Sequence, residues 1–220
     1  MAETWDSSES SVTYWVEWFH QLRGNELFCE VDQEYILDRF NLTGLPTEVP
    51  HYAQAFEMIT DSLEDTLDEP LHTEVVKAAK TLYGLIHARF VITARGLTKM
   101  AEKFREGCFG RCPRVLCHNQ PVLPIGITDI PGIKSVKLYC PSCEDIYNPT
   151  SRRHLTIDGA YFGTTFPHLL LQMFPELLPE KSTERYVPKI FGFKIHHTAR
   201  EQRKQDELRE QQQKRLEEGL

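Results

Sequence analysis

The chain has 220 residues, 40% of them hydrophobic and 26% charged, with a formal net charge of -7. That length makes one large domain or two small ones, the balance is that of a soluble protein, and the negative charge argues against wholesale binding of nucleic acid. No apolar run approaches the ~20 residues of a membrane span, and the acidic start MAETWDSSESS is unlike a secretory signal. The expected setting is therefore cytoplasm or nucleus, with no membrane partner.

Residues 1–13 read as a disordered acidic N-terminus, short, polar and rich in Ser and Glu. From Tyr14 the pattern changes. Trp15, Trp18, Phe19 and Leu22 fall at i, i+3, i+4 and i+7, the stripe of an amphipathic helix, and RGN breaks it. A short helix follows around DQEYILDRF, with Ile36, Leu37 and Phe40 apolar and NLTGLP ending it. HYAQAFEMIT predicts a helix with Tyr52, Ala55, Phe56 and Ile59 inward. EVVKAAKTLYGLIHARFVITARGLTKMAEKF keeps helical spacing, and Gly96 is expected to separate two helices there. Residues 14–106 thus form a mainly helical domain.

Between Arg39 and Lys77 there is no Lys or Arg, while Glu48, Glu57, Asp61, Glu64, Asp65, Asp68, Glu69 and Glu74 accumulate. Residues 57–74 read as an acidic loop. It is either simply solvated or a patch for a basic ligand such as a polyamine or a Lys-rich peptide. The EF-hand pattern is absent.

At Gly107 prolines and short β-favouring pieces take over, and residues 107–160 read as a β module. Cys112 and Cys117 form C-x4-C, and Cys140 and Cys143 form C-x2-C, with 22 residues between the pairs. Two close thiol pairs on turns joined by a hairpin suit one tetrahedral structural zinc per chain, a closed site without an open position for catalysis. In a reducing compartment such pairs bind metal more often than they form disulfides. Cys29 in LFCEV reads as a buried small hydrophobe. Cys108 in GCFG reads as part of a turn, and His118 as unneeded beside a complete shell of four thiolates. Pro113, Val115, Leu116 and Val122 lie on or beside the first knuckle. A module this small cannot bury them all, which points to self-association as a homodimer. Basic residues near the module are dispersed, with one tight cluster, SRRH at 151–154, so direct nucleic-acid binding is not expected.

GAYFGTTFPHLLLQMF and YVPKIFGFKIHH give a segment at 161–197 dense in aromatics and leucines. Residues 198–220 form a polar charged tail with Glu–Lys/Arg pairs at helical spacing and no apolar seam. No nucleotide loop, kinase signature, H-E-x-x-H or G-x-S-x-G occurs, and no residue is assigned a catalytic role.

WFHQLRGNELFCEVDQEYILDRFNLTGL, LYGLIHARFVIT, CPRVLC, QPVLPIGITDIPG, VKLYCPSC, DGAYFGTTFPHLL and VPKIFGFKIH together resemble the casein kinase II regulatory (beta) subunit family, from about Trp15 to His196. The resemblance implies an α+β architecture: a helical N-terminal domain, a four-cysteine zinc-ribbon module that dimerises, and an extended C-terminal segment at 161–197 that docks catalytic alpha subunits into a heterotetramer. It implies zinc ligands at Cys112, Cys117, Cys140 and Cys143, and docking contacts at Phe191, Phe193, Leu169 and Leu171. It also implies an acidic loop for polybasic ligands at Glu57, Asp61, Glu64, Asp65, Asp68 and Glu69. The implied function is non-catalytic modulation of the kinase's activity, stability and substrate choice. Phe191 stands where the family usually has Tyr. Ser7 and Ser8, the candidate phosphorylation sites, lack an acidic residue three positions on, and the tail after Arg200 differs from the usual ending. These departures point to a diverged paralogue. The alternative is an interaction protein that keeps the zinc dimer but has lost or changed its kinase partner.

Overall fold

The computed structural model describes residues 14–64, 67–180 and 187–218. The described residues through 180 form one unit, and 187–218 belong to a second. Among them no helix is long and apolar enough to cross a membrane.

In the first unit, α1 (Trp15–Gln21) buries Trp15 and Phe19, whose rings stack with centroids 5.4 Å apart. Trp18 and Leu22 are half-buried. The predicted break falls at Gly24, whose φ of 113° suits a residue without a Cβ, and the Asn25 side chain donates to the Phe19 carbonyl at 2.8 Å. The second helix, α2 (Gln33–Leu37), spans barely more than one turn. It buries Ile36 alone of the expected stripe, while Leu37 and Phe40 are exposed, Phe40 at 84%. Phe40 lies beyond the helix in a turn where its N–H binds Asp38 Oδ1 at 3.0 Å, so helical periodicity does not govern it. A helix not anticipated from the sequence, α3 (Leu45–Glu48), follows, with Pro46 in its first turn.

Next, α4 (Tyr52–Ile59) buries Ala55, Met58 and Ile59 against α5 (Glu69–Phe90). The chain then breaks at 91–93 and resumes as α6 (Ala94–Glu106). Gly96 therefore does not separate the helices but lies inside the first turn of α6. The break is made by Thr93, whose side chain caps α6 by accepting the Gly96 N–H at 3.2 Å. A Cβ at Gly96 would lie 2.1 Å from the Phe90 carbonyl oxygen, so glycine is required there by close approach. Gly107, at φ 75°, closes α6.

The β module is a three-stranded antiparallel sheet in the order β1 (Leu123–Ile125), β2 (Lys137–Cys140), β3 (Asp145–Tyr147). Leu123 lies opposite Tyr139, and Cys140 opposite Asp145. A final helix of this unit, α7 (Phe166–Met173), packs on β1 and α6. Helices and sheet share one hydrophobic core, which runs from Trp15 and Phe19 through Ile86 and Phe90 to Leu123, Val136 and Phe162.

In the second unit, β4 (Lys189–Ile190) and β5 (Phe193–Lys194) pair as a hairpin, with Ile190 opposite Phe193. Its two-residue turn, Phe191–Gly192, has φ 48° and 87°, the pair of left-handed conformations of a primed hairpin turn. The polar tail is helical, α8 (His197–Glu218), with an Arg203–Glu207 ion pair at 3.4 Å one turn apart.

Candidate metal centre and partner-facing surfaces

Two turns build the thiol cluster. In the first, the Cys112 N–H donates to the Gln120 carbonyl at 2.8 Å, and a single 3-10 turn at Val115–Cys117 delivers the second sulfur. His118 and Asn119 then take positive φ, and the Gln120 N–H returns to the Cys117 carbonyl at 2.9 Å. In the second, Cys140 ends β2 and its carbonyl accepts the Glu144 N–H at 2.9 Å, with Glu144 at φ 57°. The four sulfurs lie within 4.8 Å of one another, Cys112 and Cys143 at 3.9 Å. A tetrahedron with metal–sulfur bonds of ~2.3 Å has edges of roughly 3.8 Å, so the cluster is near the size of a tetrathiolate metal site.

Cys117, Cys140 and Cys143 differ in electrostatics. Burial raises the pKa of Cys117, and more strongly that of Cys140. For Cys143 burial pushes upward too. Hydrogen bonds from the Tyr147 hydroxyl and from the Cys140 and Cys117 thiols outweigh it, and the pKa falls to about 7. The Tyr147 Oη lies 3.3 Å from Cys143 Sγ. With three sulfurs buried and a fourth half-buried, the donor set is soft and closed, the chemistry of a structural metal. Cys108 is exposed in the 107–110 turn, 3.4 Å from Glu106 Oε2 and outside the cluster. Cys29 is buried as expected. Its N–H donates to His87 Nε2 at 3.1 Å, and burial raises its thiol to about 12.

Of the residues expected at a dimer surface, Pro113 is exposed, Val115 is 87% exposed and Leu116 is half-buried. Val122 is not at the surface: at 1% exposure it belongs to the core beneath β1. Nearness to the knuckle in sequence did not put it at the surface, because it leads directly into β1, whose three residues are all buried. Ile127, Ile130 and Ile133, exposed between β1 and β2, are further apolar surface that sequence reasoning missed. Their regular spacing in GITDIPGIKS was the available signal.

Phe191 is 97% exposed and Phe193 80%, both carried by the β4–β5 hairpin. Leu169 and Leu171 are half-buried on α7 of the first unit. The acidic stretch is not one loop, because Glu57 lies in α4 and Glu69 opens α5. Glu64, Asp68 and Glu69 are exposed. Asp61 is used within the fold: at φ 54° its carboxylate accepts the Trp15 N–H at 2.8 Å, and burial raises its pKa. Asp65, Ser7 and Ser8 lie outside the described residues.

Residues 14–194 match the family model described as casein kinase II regulatory subunit. The chain is 57% identical over 211 residues to casein kinase II subunit beta of Schizosaccharomyces pombe, covering 96% of this chain and 91% of that protein. It is 52% identical to casein kinase II subunit beta' of Saccharomyces cerevisiae (88% of this chain, 78% of that protein). Against casein kinase II subunit beta' of Drosophila melanogaster it is 50% identical (88% of each). A match spanning the helices, the thiol cluster and the hairpin places the sequence among regulatory and not catalytic chains: it belongs to the casein kinase II regulatory subunit family.

Proposed function

We propose that this chain is a non-catalytic subunit that dimerises through its four-cysteine module and docks casein kinase II catalytic alpha subunits with the 187–196 hairpin, two of each making a heterotetramer. The observation that carries the docking role is the exposure of Phe191 and Phe193 on the β4–β5 hairpin, Phe191 in its left-handed turn and Phe193 at the start of β5. Exposed aromatics on a rigid support are the side chains that anchor protein partners. Pro113, Val115 and Leu116 on the first knuckle supply the dimer contact.

Cys112, Cys117, Cys140 and Cys143 hold one zinc per chain, and the metal, when bound, cross-links the two knuckles. The chain's own part is to keep the thiols convergent through the turn hydrogen bonds and to shield three of them from solvent. Glu64, Asp68 and Glu69 form the surface for polyamines or basic peptides, by charge complementarity. The subunit acts on its kinase by binding one conformation of the catalytic chain in preference to others, which shifts stability, activity and substrate choice.

The test is a pull-down of a casein kinase II alpha subunit by the wild-type chain and by Phe191→Ala/Phe193→Ala. Capture by wild type, lost in the double variant, supports the reading. Failure of the wild type to bind removes it, and equal capture by both moves the docking surface elsewhere. In parallel, Cys112→Ser is expected to lower zinc content and dimer fraction together, read by metal analysis and sedimentation.

A further inference from the structure

The one tight basic cluster near the β module, SRRH at 151–154, lies against the turn that follows α1. A cleft of about 570 Å³ opens there, with Arg23 and Asn25 from the turn, Lys80 from α5, and Arg153 and Thr156 from beyond β3 among its walls. A second hollow of about 320 Å³ is bounded by Arg23, Arg152 and Arg153. Among the described residues no carboxylate lines either hollow. Among the described residues, no ion pair engages Arg23, Arg152 or Arg153. On a chain of net charge -7 this is an unusual local concentration of cations.

The two arms are also fixed to each other. Glu26 Oε2 accepts the Gly24 N–H at 3.0 Å and meets His154 Nε2 at 2.9 Å, across 128 residues of sequence. A Cβ placed on Gly24 would touch the Arg153 Cβ at 3.4 Å, so the turn lies directly on the arginine's stem. Lys80 is held with its Nζ 5.2 Å from the Trp18 ring centroid. The cations are therefore brought together before any ligand arrives. None of these residues belongs to the thiol cluster or the hairpin.

We propose that this cleft is a binding site for a phosphorylated side chain of a protein partner. Arginine forks match phosphate oxygens in pairs, and two or more cations around one hollow suit a group of nearly two negative charges better than a single carboxylate. Phe19 and Phe28 at its base are buried, so they offer no stacking platform for nucleic-acid bases.

The experiment uses the full chain and a fluorescein-labelled peptide carrying one phosphoserine between neutral residues, read by anisotropy at low salt. Binding is expected, weakening as salt rises. The unphosphorylated peptide should bind at least about tenfold more weakly, and so should Arg23→Gln/Arg153→Gln with the phosphopeptide. Glutamine keeps the Cβ contact at 153, and thermal melts of the variant should match wild type because neither guanidinium has an ion-pair partner among the described residues. Arg95→Gln/Arg105→Gln, with the same change in net charge elsewhere, should leave binding unchanged. Equal binding of the two peptides, or by the 23/153 variant, overturns the proposal. So does displacement by inorganic phosphate at peptide-equivalent concentration, which makes it a free-ion site. Preference for a single-stranded oligonucleotide overturns it in favour of nucleic acid.

Discussion

Gly84 of α5 faces the Tyr161 ring so closely that a Cβ there would lie 2.5 Å from Cγ and Cδ1. One turn further along the same helix, His87 Nδ1 meets the Tyr161 carbonyl at 2.7 Å. Since His87 Nε2 accepts the Cys29 N–H, Nδ1 carries the ring proton and donates it. The helical layer and the chain leaving the β module are thus joined at one seam with no room for a methyl group.

Gly84→Ala should therefore destabilise the protein, although alanine improves helix propensity by about 1 kcal/mol. The clash is with the root of the ring and not a flexible tip, and overpacking of this kind costs about 1–3 kcal/mol. Urea unfolding followed by fluorescence should show a lower midpoint. An unchanged or raised midpoint would mean that the seam relaxes freely.

Acid should weaken the fold through two histidines, His87 buried and His20 half-buried. Burial lowers His87 to about 3. Burial, then the charges of Lys103 and Lys99, lower His20 to about 4. Above pH 6.5 both are neutral folded or unfolded, and neither affects stability. Below it the unfolded chain takes up protons that the folded chain refuses, so stability falls by at most about 1.4 kcal/mol per pH unit per histidine, down toward the folded pKa values. His20→Gln, which can still reach the Tyr83 hydroxyl now 2.8 Å from His20 Nε2, should flatten the decline between pH 6.5 and 4. Identical pH slopes for the two proteins would show that His20 takes no part.

Metal content should follow the cluster and ignore its neighbour. Cys143→Ser is expected to abolish stoichiometric zinc in native mass spectrometry, whereas Cys108→Ser, outside the cluster, should keep one zinc per chain. Zinc retained in the first or lost in the second would redraw the ligand set.

At the hairpin, side chain and backbone can be separated. Phe191 holds a left-handed conformation that costs a non-glycine residue about 1 kcal/mol and suits Asn better. Phe191→Asn should keep the turn yet lower affinity for a catalytic subunit by about 30-fold, the loss of one anchor. Undiminished affinity in a titration would assign the contact to the backbone.

Within the acidic stretch, Asp61→Ala should cost about 1 kcal/mol by removing the acceptor for the Trp15 N–H, with little effect on spermine binding. Glu64→Gln/Asp68→Asn/Glu69→Gln should do the reverse, weakening salt-sensitive spermine binding with stability nearly intact. Calorimetry at two salt concentrations distinguishes them.

Much of this was legible from residue order. The helical stripe picked out Trp15 and Phe19, and the thiol spacing alone picked out the four clustered cysteines, because each rests on geometry repeating within a few residues. Phe40 was misplaced because spacing extends a helix past where a turn stops it. Gly96 was misread because glycine's helix cost marks a weak position and not the cap, Thr93, that makes the break. Tertiary structure decided what local periodicity cannot carry, namely which surface another segment covers. It buried Val122, turned Asp61 into a helix cap, and tied Arg23 beside Arg153 through Glu26 and His154. A sequence of 220 residues states every charge and every thiol. Only packing of segments far apart in the chain decides which of them meet.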